Sequence, residues 1–544
     1  MPSDRVDSPG NDGPAAVATQ PRPHGRRLAT SAAFFSFATG LSRVAGLGRE
    51  VVVARYFGVG GPMAAFSIAF QAPNLIRALF ADSALQGAFV PVFTELLEKG
   101  QRREAFRVAS GLLFVICLVL GVLTALFVLI APVLIPPLTG PKFTPALDEL
   151  TVGLSQLMFP IVLLLGISGL TVGMLNSFEH FSVPALAPLA WNLVIIGAVV
   201  GLVPVLPEDD QIYAYAIGVL AGSVVQLLLP LPWLRGRGGH LGLSFDFRNP
   251  HVIRVLKLML PVTLALGLIN FGFAIDQLIG TLVQKEAPAA IEKAFRIYQL
   301  PQGLFSIAIA TVLFPTLSRL AARHERDQLR RTLATGARQI LLLLIPSAAL
   351  MAVLAEPITR LLYQRGAFDP AATELVADAT FWWALALPAQ GVSLLLTRTY
   401  FSLQRTRITT VLAAGNLAIN TIVALALYAP FGIAGIVIGT VAGTLAMTTA
   451  QALLLRPDLG GIDGRGTVTA SLRMLAAAVP LAVVSYTTWR ELDQLLGRSL
   501  PAQTLTLAAA IAAGAATYAA LAWALGIPET RQIRDLLTRG VRRR

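Results

Sequence analysis

The chain has 544 residues, of which 55% are hydrophobic and 13% charged, with a mean hydropathy of +0.68 and a formal net charge of +13. A soluble globular domain carries about 25% charged residues, so this composition excludes a soluble enzyme or a nucleic-acid-binding module and describes a polytopic membrane protein. The only cysteine, Cys117, lies in an apolar run, which rules out an intramolecular disulfide and argues against redox chemistry.

Residues 1–28 are rich in Pro, Gly, Ala and Asp without periodicity and read as a disordered cytoplasmic tail. Arg26-Arg27 ahead of an apolar segment mimics a twin-arginine export signal, but no small-x-small cleavage site follows and the segment soon meets Arg43. Apolar runs of about 20 residues, enough to cross about 30 Å of hydrocarbon, then recur to the end of the chain. They predict fourteen spans, near 30–57, 62–96, 107–136, 149–177, 184–205, 211–233, 252–284, 290–320, 332–355, 373–401, 408–428, 431–455, 470–489 and 503–526. Of the 43 Lys and Arg, 31 fall in the two tails and the even-numbered loops, seven in odd-numbered loops and five (Arg43, Arg49, Arg55, Arg77, Arg296) inside spans. By the positive-inside rule this bias puts both termini in the cytoplasm, and it accounts for the positive net charge without nucleic acid.

An internal repeat supports the organisation. AFVPVFTEL around Pro91 echoes VLFPTLSRL around Pro315, and Asn192 and Asn416 stand in a second matching pair at the same offset of 224 residues. Six spans per repeat give two lobes of the same orientation, the plan of transporters that bind substrate between two halves. The expected fold is therefore an all-α polytopic bundle. A cytoplasmic tail (1–28) precedes an N-lobe (29–234) and a C-lobe (250–456). A C-terminal helix pair (467–527) and a basic tail (528–544) follow. The pair carries no buried charge; an accessory hairpin against lipid and a groove for a long acyl or isoprenoid chain are equally compatible with it.

The first two spans carry Arg43, Arg49, Glu50, Arg55, Arg77 and Asp82. An arginine at the bilayer centre costs roughly 2.5–3.5 kcal/mol even on the lenient insertion scale, so these residues must face water, one another or an anion. Arg43 and Glu50, seven apart, share a helix face, and Arg49 sits about 120° away, a spread that suits a cavity wall. Pro73 breaks the second span shortly before Arg77, and Arg296 likewise precedes Pro301 in KAFRIYQLPQGLF. Guanidinium groups bind phosphate bidentately and do not lose their charge, so the expected ligand is a phosphate or pyrophosphate. Arg55, close to a span end, fits snorkelling or ion pairing instead.

A second cluster joins Asp276 of the seventh span to Asn416 and Asn420 of the eleventh, with Thr440 of the twelfth adding an oxygen. Those donors suit a hard cation such as Na⁺, and equally suit ordinary interhelical hydrogen bonding. No Walker loop, HExxH or CxxC occurs, and the five histidines are scattered. No other cofactor and no catalytic group is therefore expected.

At SRVAGLGRE, PNLIRALFADSALQGAFVP and FRIYQLPQGLFSIAIATVLFP the chain resembles the MurJ/MviN family, the lipid II flippases of the multidrug/oligosaccharidyl-lipid/polysaccharide exporter superfamily, from about residue 30 to 526. The resemblance implies two six-helix lobes about a cationic cavity, a last helix pair forming a lipid-tail groove, and export of undecaprenyl-pyrophosphate-linked peptidoglycan precursor across the bacterial cytoplasmic membrane. By position, Arg43 and Arg49 match the first-helix arginines, Arg77 and Asp82 the arginine and acid of the second helix, and Arg296 the eighth-helix arginine. Family sodium coupling would fall on Asp276, Asn416, Asn420 and Thr440, although Asn420 stands where an acid is expected. Two further departures are Ala64, in place of an acid early in the second helix, and Ala78, in place of a second basic residue. The implied partners are lipid II, membrane lipids and the cell-wall synthesis machinery. A flippase for another lipid-linked oligosaccharide is the closest rival; a multidrug antiporter would favour carboxylates over arginines. A membrane-embedded lipid phosphatase or glycosyltransferase would need clustered catalytic acids or histidines, and a scaffolding protein would tolerate loss of the arginines.

Overall fold

A computed structural model of the chain describes residues 23–527 apart from 78–82, 181, 238, 243, 247 and 462, together with 529. At 23–36, 83–84, 86–87, 260–262 and 264–270 it describes the backbone alone. All regular secondary structure among the described residues is helical. Ten helical segments are long and apolar enough to cross a membrane. The first span (α1, Pro23–Phe57), the second (α2, Gly61–Arg77, with α3, Ser83–Glu98) and the seventh (α9, Pro250–Val283) are not among the ten. α1 is already helical at Pro23, inside the stretch read as a disordered tail.

The chain continues through α4 (Arg102–Leu134), α5 (Pro145–Met158), α6 (Ile161–Ser177), α7 (Ser182–Leu202) and α8 (Gln211–Leu228). After α9 come α10 (Ala287–Pro301), α11 (Ile307–Ala322), α12 (Arg326–Val353) and α13 (Ala355–Tyr363). The last four are α14 (Pro370–Ser402), α15 (Thr406–Leu455), α16 (Gly464–Leu496) and α17 (Leu500–Ala524). Several starts are locally encoded: Thr144, Asp369 and Ser499 each accept an early backbone N–H just ahead of a proline in the first turn.

Breaks differ in detail from the expectation. Pro73 stays inside α2, which runs on to Arg77. After Pro301 the chain makes a π-helical turn, Gln302–Ser306, before resuming as α11. Proline cannot donate to the preceding turn, and the wider turn absorbs the mismatch. Two expected spans, 408–428 and 431–455, form one 50-residue helix, α15, divided by the non-helical Gly432 (φ 58°) shortly after Pro430.

Packing follows the chain. α1 lies on α7, α7 on α8, α2 on α5 and α3 on α6; α14 packs on α10, α12 and α15, and α16 pairs with α17 against α12. α9 and α10 bridge the halves by touching α2, and α9 also touches α3 and α4. The main core runs across both halves, from Val53 and Phe66 to Tyr298, Trp383 and Tyr400. Large apolar side chains on α4, such as Leu129 and Val133, are exposed, as the outer surface of a bundle in lipid requires.

Candidate functional site: a central cationic cavity

Arg49 and Glu50 are adjacent on α1 and both buried. Neighbouring residues on a helix point about 100° apart, yet Arg49 Nη2 donates to Glu50 Oε1 at 2.6 Å, so both side chains bend toward one point. The Arg49 guanidinium also lies over the Trp191 ring of α7, 4.9 Å from its centroid. From α10, Lys293 Nζ donates to Glu50 Oε2 at 2.7 Å and Arg296 Nε stands 3.7 Å from Glu50 Oε1. Arg296 Nη2 donates to Glu292 Oε1 at 3.3 Å, and Ser67 of α2 donates to Glu292 Oε2 at 2.6 Å. Three cations thus share two carboxylates, across elements 225 or more residues apart in sequence. The positive charge is in excess, and among the described residues the Nε atoms of Arg49 and Arg296 have no hydrogen-bond partner.

Arg49, Arg77, Glu292 and Arg296 line a cavity of about 880 Å³ between α1, α2, α6 and α7 on one side and α9, α10, α14 and α15 on the other. Pockets for small ligands fall within about 300–1,000 Å³. Arg77 closes α2 and holds Asn74 Oδ1 through Nε (3.3 Å) and Nη2 (2.9 Å). The wall carries many amides, among them Gln71, Gln299, Gln302 and Gln390, which suit a large polar head group.

The expected residues are divided by the structure. It brings Arg49, Arg77 and Arg296 to the lining of one cavity, with Glu50 against Arg49 and Arg296. Arg43 is exposed and absent from that wall; its Nη1 lies 3.7 Å from where a Cβ would stand on Gly303, in the π turn. Asp82 lies outside the described residues. Arg55 is exposed at the end of α1.

Lys293, counted with an odd-numbered loop, is instead fully buried in α10. Sequence reasoning does not single out Lys293, Glu292 or Ser67; the available signal is the i, i+4 pair Glu292–Arg296, which lies in one amphipathic turn inside the expected span 290–320.

The second cluster lines the same cavity. Asp276 Oδ1 accepts from Asn420 Nδ2 and Oδ2 from Thr440 Oγ1, both at 2.9 Å, and Thr440 stands 3.4 Å from Asn420 Oδ1. Asn416 lines the cavity beside them and makes no hydrogen bond to the trio among the described residues. Gly439 and Gly443 let the two halves of α15 approach: a Cβ on either would come within 2.8 Å of Asn420 or Asn416 backbone oxygen. Among the described residues no three His, Cys, Asp or Glu side chains gather as a metal site. The donor set is one carboxylate with amide and hydroxyl oxygens, which fits a monovalent hard cation better than a divalent one.

Two seams join the halves: Ala367 N donates to the carbonyl of Arg55 at 2.8 Å, and Gly140 N donates to Thr281 Oγ1 at 2.7 Å. Arg254 holds Glu95 (3.0 Å) and Asn249 holds Glu104 (2.7 Å), tying α9 to α3 and α4.

An all-helical bundle with apolar outer faces and a cationic polar cavity at its centre is a multi-pass membrane transport protein. The family model described as lipid II flippase MurJ matches residues 53–498. A probable lipid II flippase MurJ of Rhizobium meliloti is 32% identical over 510 residues, covering 92% of this chain and 94% of that protein. A lipid II flippase MurJ of Burkholderia cenocepacia is 29% identical over 492 residues, covering 89% and 95%. A solved lipid II flippase MurJ in an inward closed conformation shares the fold, with a TM-score of 0.74 and 22% identity over 90% of this chain and 99% of that one. An inward-facing multidrug resistance MATE transporter of the MOP superfamily does so at 0.65 and 14%, over 77% and 94%. The chain belongs to the lipid II flippase MurJ family, a family of transporters rather than enzymes.

Proposed function

We propose that this chain carries lipid II, the polyprenyl-pyrophosphate-linked peptidoglycan precursor, from the inner to the outer leaflet of the bacterial cytoplasmic membrane by alternating access. The observation that carries this reading is the pair Arg49 and Arg296, which line the cavity from the two halves of the chain with buried Nε atoms that make no hydrogen bond among the described residues. A pyrophosphate presents oxygens in the fork spacing that guanidinium groups match. In the present arrangement Glu50 and Glu292 hold those cations, and the same carboxylates hold Lys293 and Ser67 across the halves. An entering pyrophosphate competes for Arg49, Arg77 and Arg296, and so loosens the bonds that join α1 and α2 to α10. Occupancy and lobe movement are thereby coupled, while the prenyl tail stays in lipid.

In this reading the N-lobe (29–234) and C-lobe (250–456) move about the cavity, the helix pair (467–527) borders lipid, fourteen crossings leave both termini in the cytoplasm, and the Arg55–Ala367 seam is the outer gate. Arg43, at the π turn, guards the approach from the membrane. The head group carries about two negative charges, so moving it outward gains on the order of 4–5 kcal/mol per 100 mV, and no nucleotide is required. Asp276, Asn420, Thr440 and Asn416 would hold a Na⁺ ion, which would supply positive charge on the same wall. The cell-wall synthesis machinery would receive the exported precursor.

The test is the leaflet location of lipid II in cells depleted of this protein and complemented with wild type or with Arg49→Ala. Accumulation in the inner leaflet, relieved by wild type alone, is expected. Export unaffected by depletion, with no redundant carrier present, would overturn the substrate assignment.

A further inference from the structure

A second cavity lies outside the central site, at the end of α12. It measures about 540 Å³ and is lined by Arg330, Arg331, Ala334, Thr335, Arg338 and Asp463. The first two arginines sit one turn into α12, and Arg338 lies about 12 Å farther along the helix at 1.5 Å per residue. The three therefore descend from the helix end toward the apolar segment. Arg338 is committed: Nη1 donates to Asp463 Oδ2 at 2.8 Å and Nε to Glu529 Oε1 at 2.5 Å. Those bonds seat the loop before α16 and the chain after α17 against α12. Among the described residues the one acidic partner of Arg330 is Asp327, at 3.1 Å, and that carboxylate is 80% exposed. A pair so exposed contributes little and yields easily to another anion. Arg331 is exposed and has no acidic partner among the described residues.

This is a cleft with three guanidinium groups, a hydroxyl and one lining carboxylate, at the end of a lipid-embedded helix. A soluble anion would find there no advantage over any basic loop. A lipid head group would, because its acyl chains lie alongside α16, whose Val468, Leu472 and Val479 are exposed and apolar. We propose that the cleft between the start of α12 and the loop before α16 binds the phosphate head group of an anionic membrane phospholipid. Arg330 and Arg331 make the charge-assisted contacts, and Thr335 donates its hydroxyl. The lipid thus braces the junction at which the C-terminal helix pair joins the rest of the bundle. The assignment is independent of what the central cavity transports.

The test uses the delipidated full-length protein in detergent, titrated with phosphatidylglycerol or phosphatidylcholine and read by native mass spectrometry, with inorganic phosphate as competitor. The first phosphatidylglycerol is expected to bind on the order of tenfold more tightly than phosphatidylcholine, the equivalent of one charge-assisted hydrogen bond. Arg330→Gln/Arg331→Gln should abolish that preference and Arg330→Lys/Arg331→Lys should keep part of it. Arg323→Gln/Arg326→Gln, which removes equal charge from the neighbouring turn outside the cleft, should leave it intact. Unchanged preference in the first variant, or equal loss in the last, would overturn the site. Displacement of the lipid by an equal concentration of inorganic phosphate would overturn the lipid assignment in favour of a soluble anion.

Discussion

The buried pair Glu50–Lys293 offers a sharp energetic test, because its two ends are not equivalent. Lys293 is fully buried and Glu50 Oε2, at 2.7 Å, is its one acidic contact among the described residues. Glu50 by contrast also has Arg49 at 2.6 Å and Arg296 at 3.7 Å. Two unit charges at this separation attract by about 6 kcal/mol at an effective dielectric of 20, much of it offset by desolvation, and removing one partner of a buried pair costs about 3–5 kcal/mol. Glu50→Gln leaves Lys293 uncompensated and strips Arg49 of its carboxylate, so it should fall at or above the top of that range. Lys293→Met leaves Glu50 with two arginines and should cost less, about 2–3 kcal/mol. In Glu50→Gln/Lys293→Met the orphaned cation is gone, so the double change should be milder than the sum of the single ones by at least about 2 kcal/mol. Reversible unfolding by SDS titration in mixed micelles, read by near-ultraviolet circular dichroism, measures all four corners of the cycle. Equal costs for the two single variants, or an interaction energy within about 0.5 kcal/mol of zero, would refute the reasoning.

Other consequences can be checked separately. Gly58 has φ +58° and an added Cβ would stand 2.5 Å from the Ala367 carbonyl, so Gly58→Ala should open the Arg55–Ala367 seam and raise the labelling of a cysteine placed in the cavity by an impermeant reagent. If Asp276 anchors Na⁺, sodium over potassium should raise the melting temperature of wild type by a few degrees and leave Asp276→Asn unchanged; an equal shift in both would exclude the site. Removing Arg296 takes away a cavity-wall cation and the partner of both Glu50 and Glu292, so Arg296→Ala should abolish export while the protein still inserts, measured by lipid II accessibility against membrane abundance. In a Cys117→Ser background, cysteine at Lys142 should react with an impermeant maleimide from outside intact cells and cysteine at Gly100 should not, which tests the fourteen-span topology.

Much was legible in the sequence because bilayer physics acts on local composition. Apolar runs, the bias of Lys and Arg among loops and arginines inside spans each carry a meaning that needs no neighbour; they point to Arg43, Arg49, Arg77 and Arg296 as cavity residues, of which the last three line the cavity. The 224-residue offset predicts two repeats of like orientation. Tertiary structure alone decided which charges meet. Whether Lys293 is a loop residue or a buried counter-ion depends on where α10 starts and on Glu50, 243 residues away in sequence. The same holds for Ser67 against Glu292 and for Arg43, whose α1 face turns from the cavity toward the π turn after Pro301. The sequence groups Asp276 with Asn416, Asn420 and Thr440, and the structure decides that Asn420 and Thr440 bond to Asp276 while Asn416 only lines the cavity. Hydropathy averages over a window and is blind to direction, whereas an ion pair depends on the last ångström between two side chains, and that distance is set only when the halves of the chain close on each other.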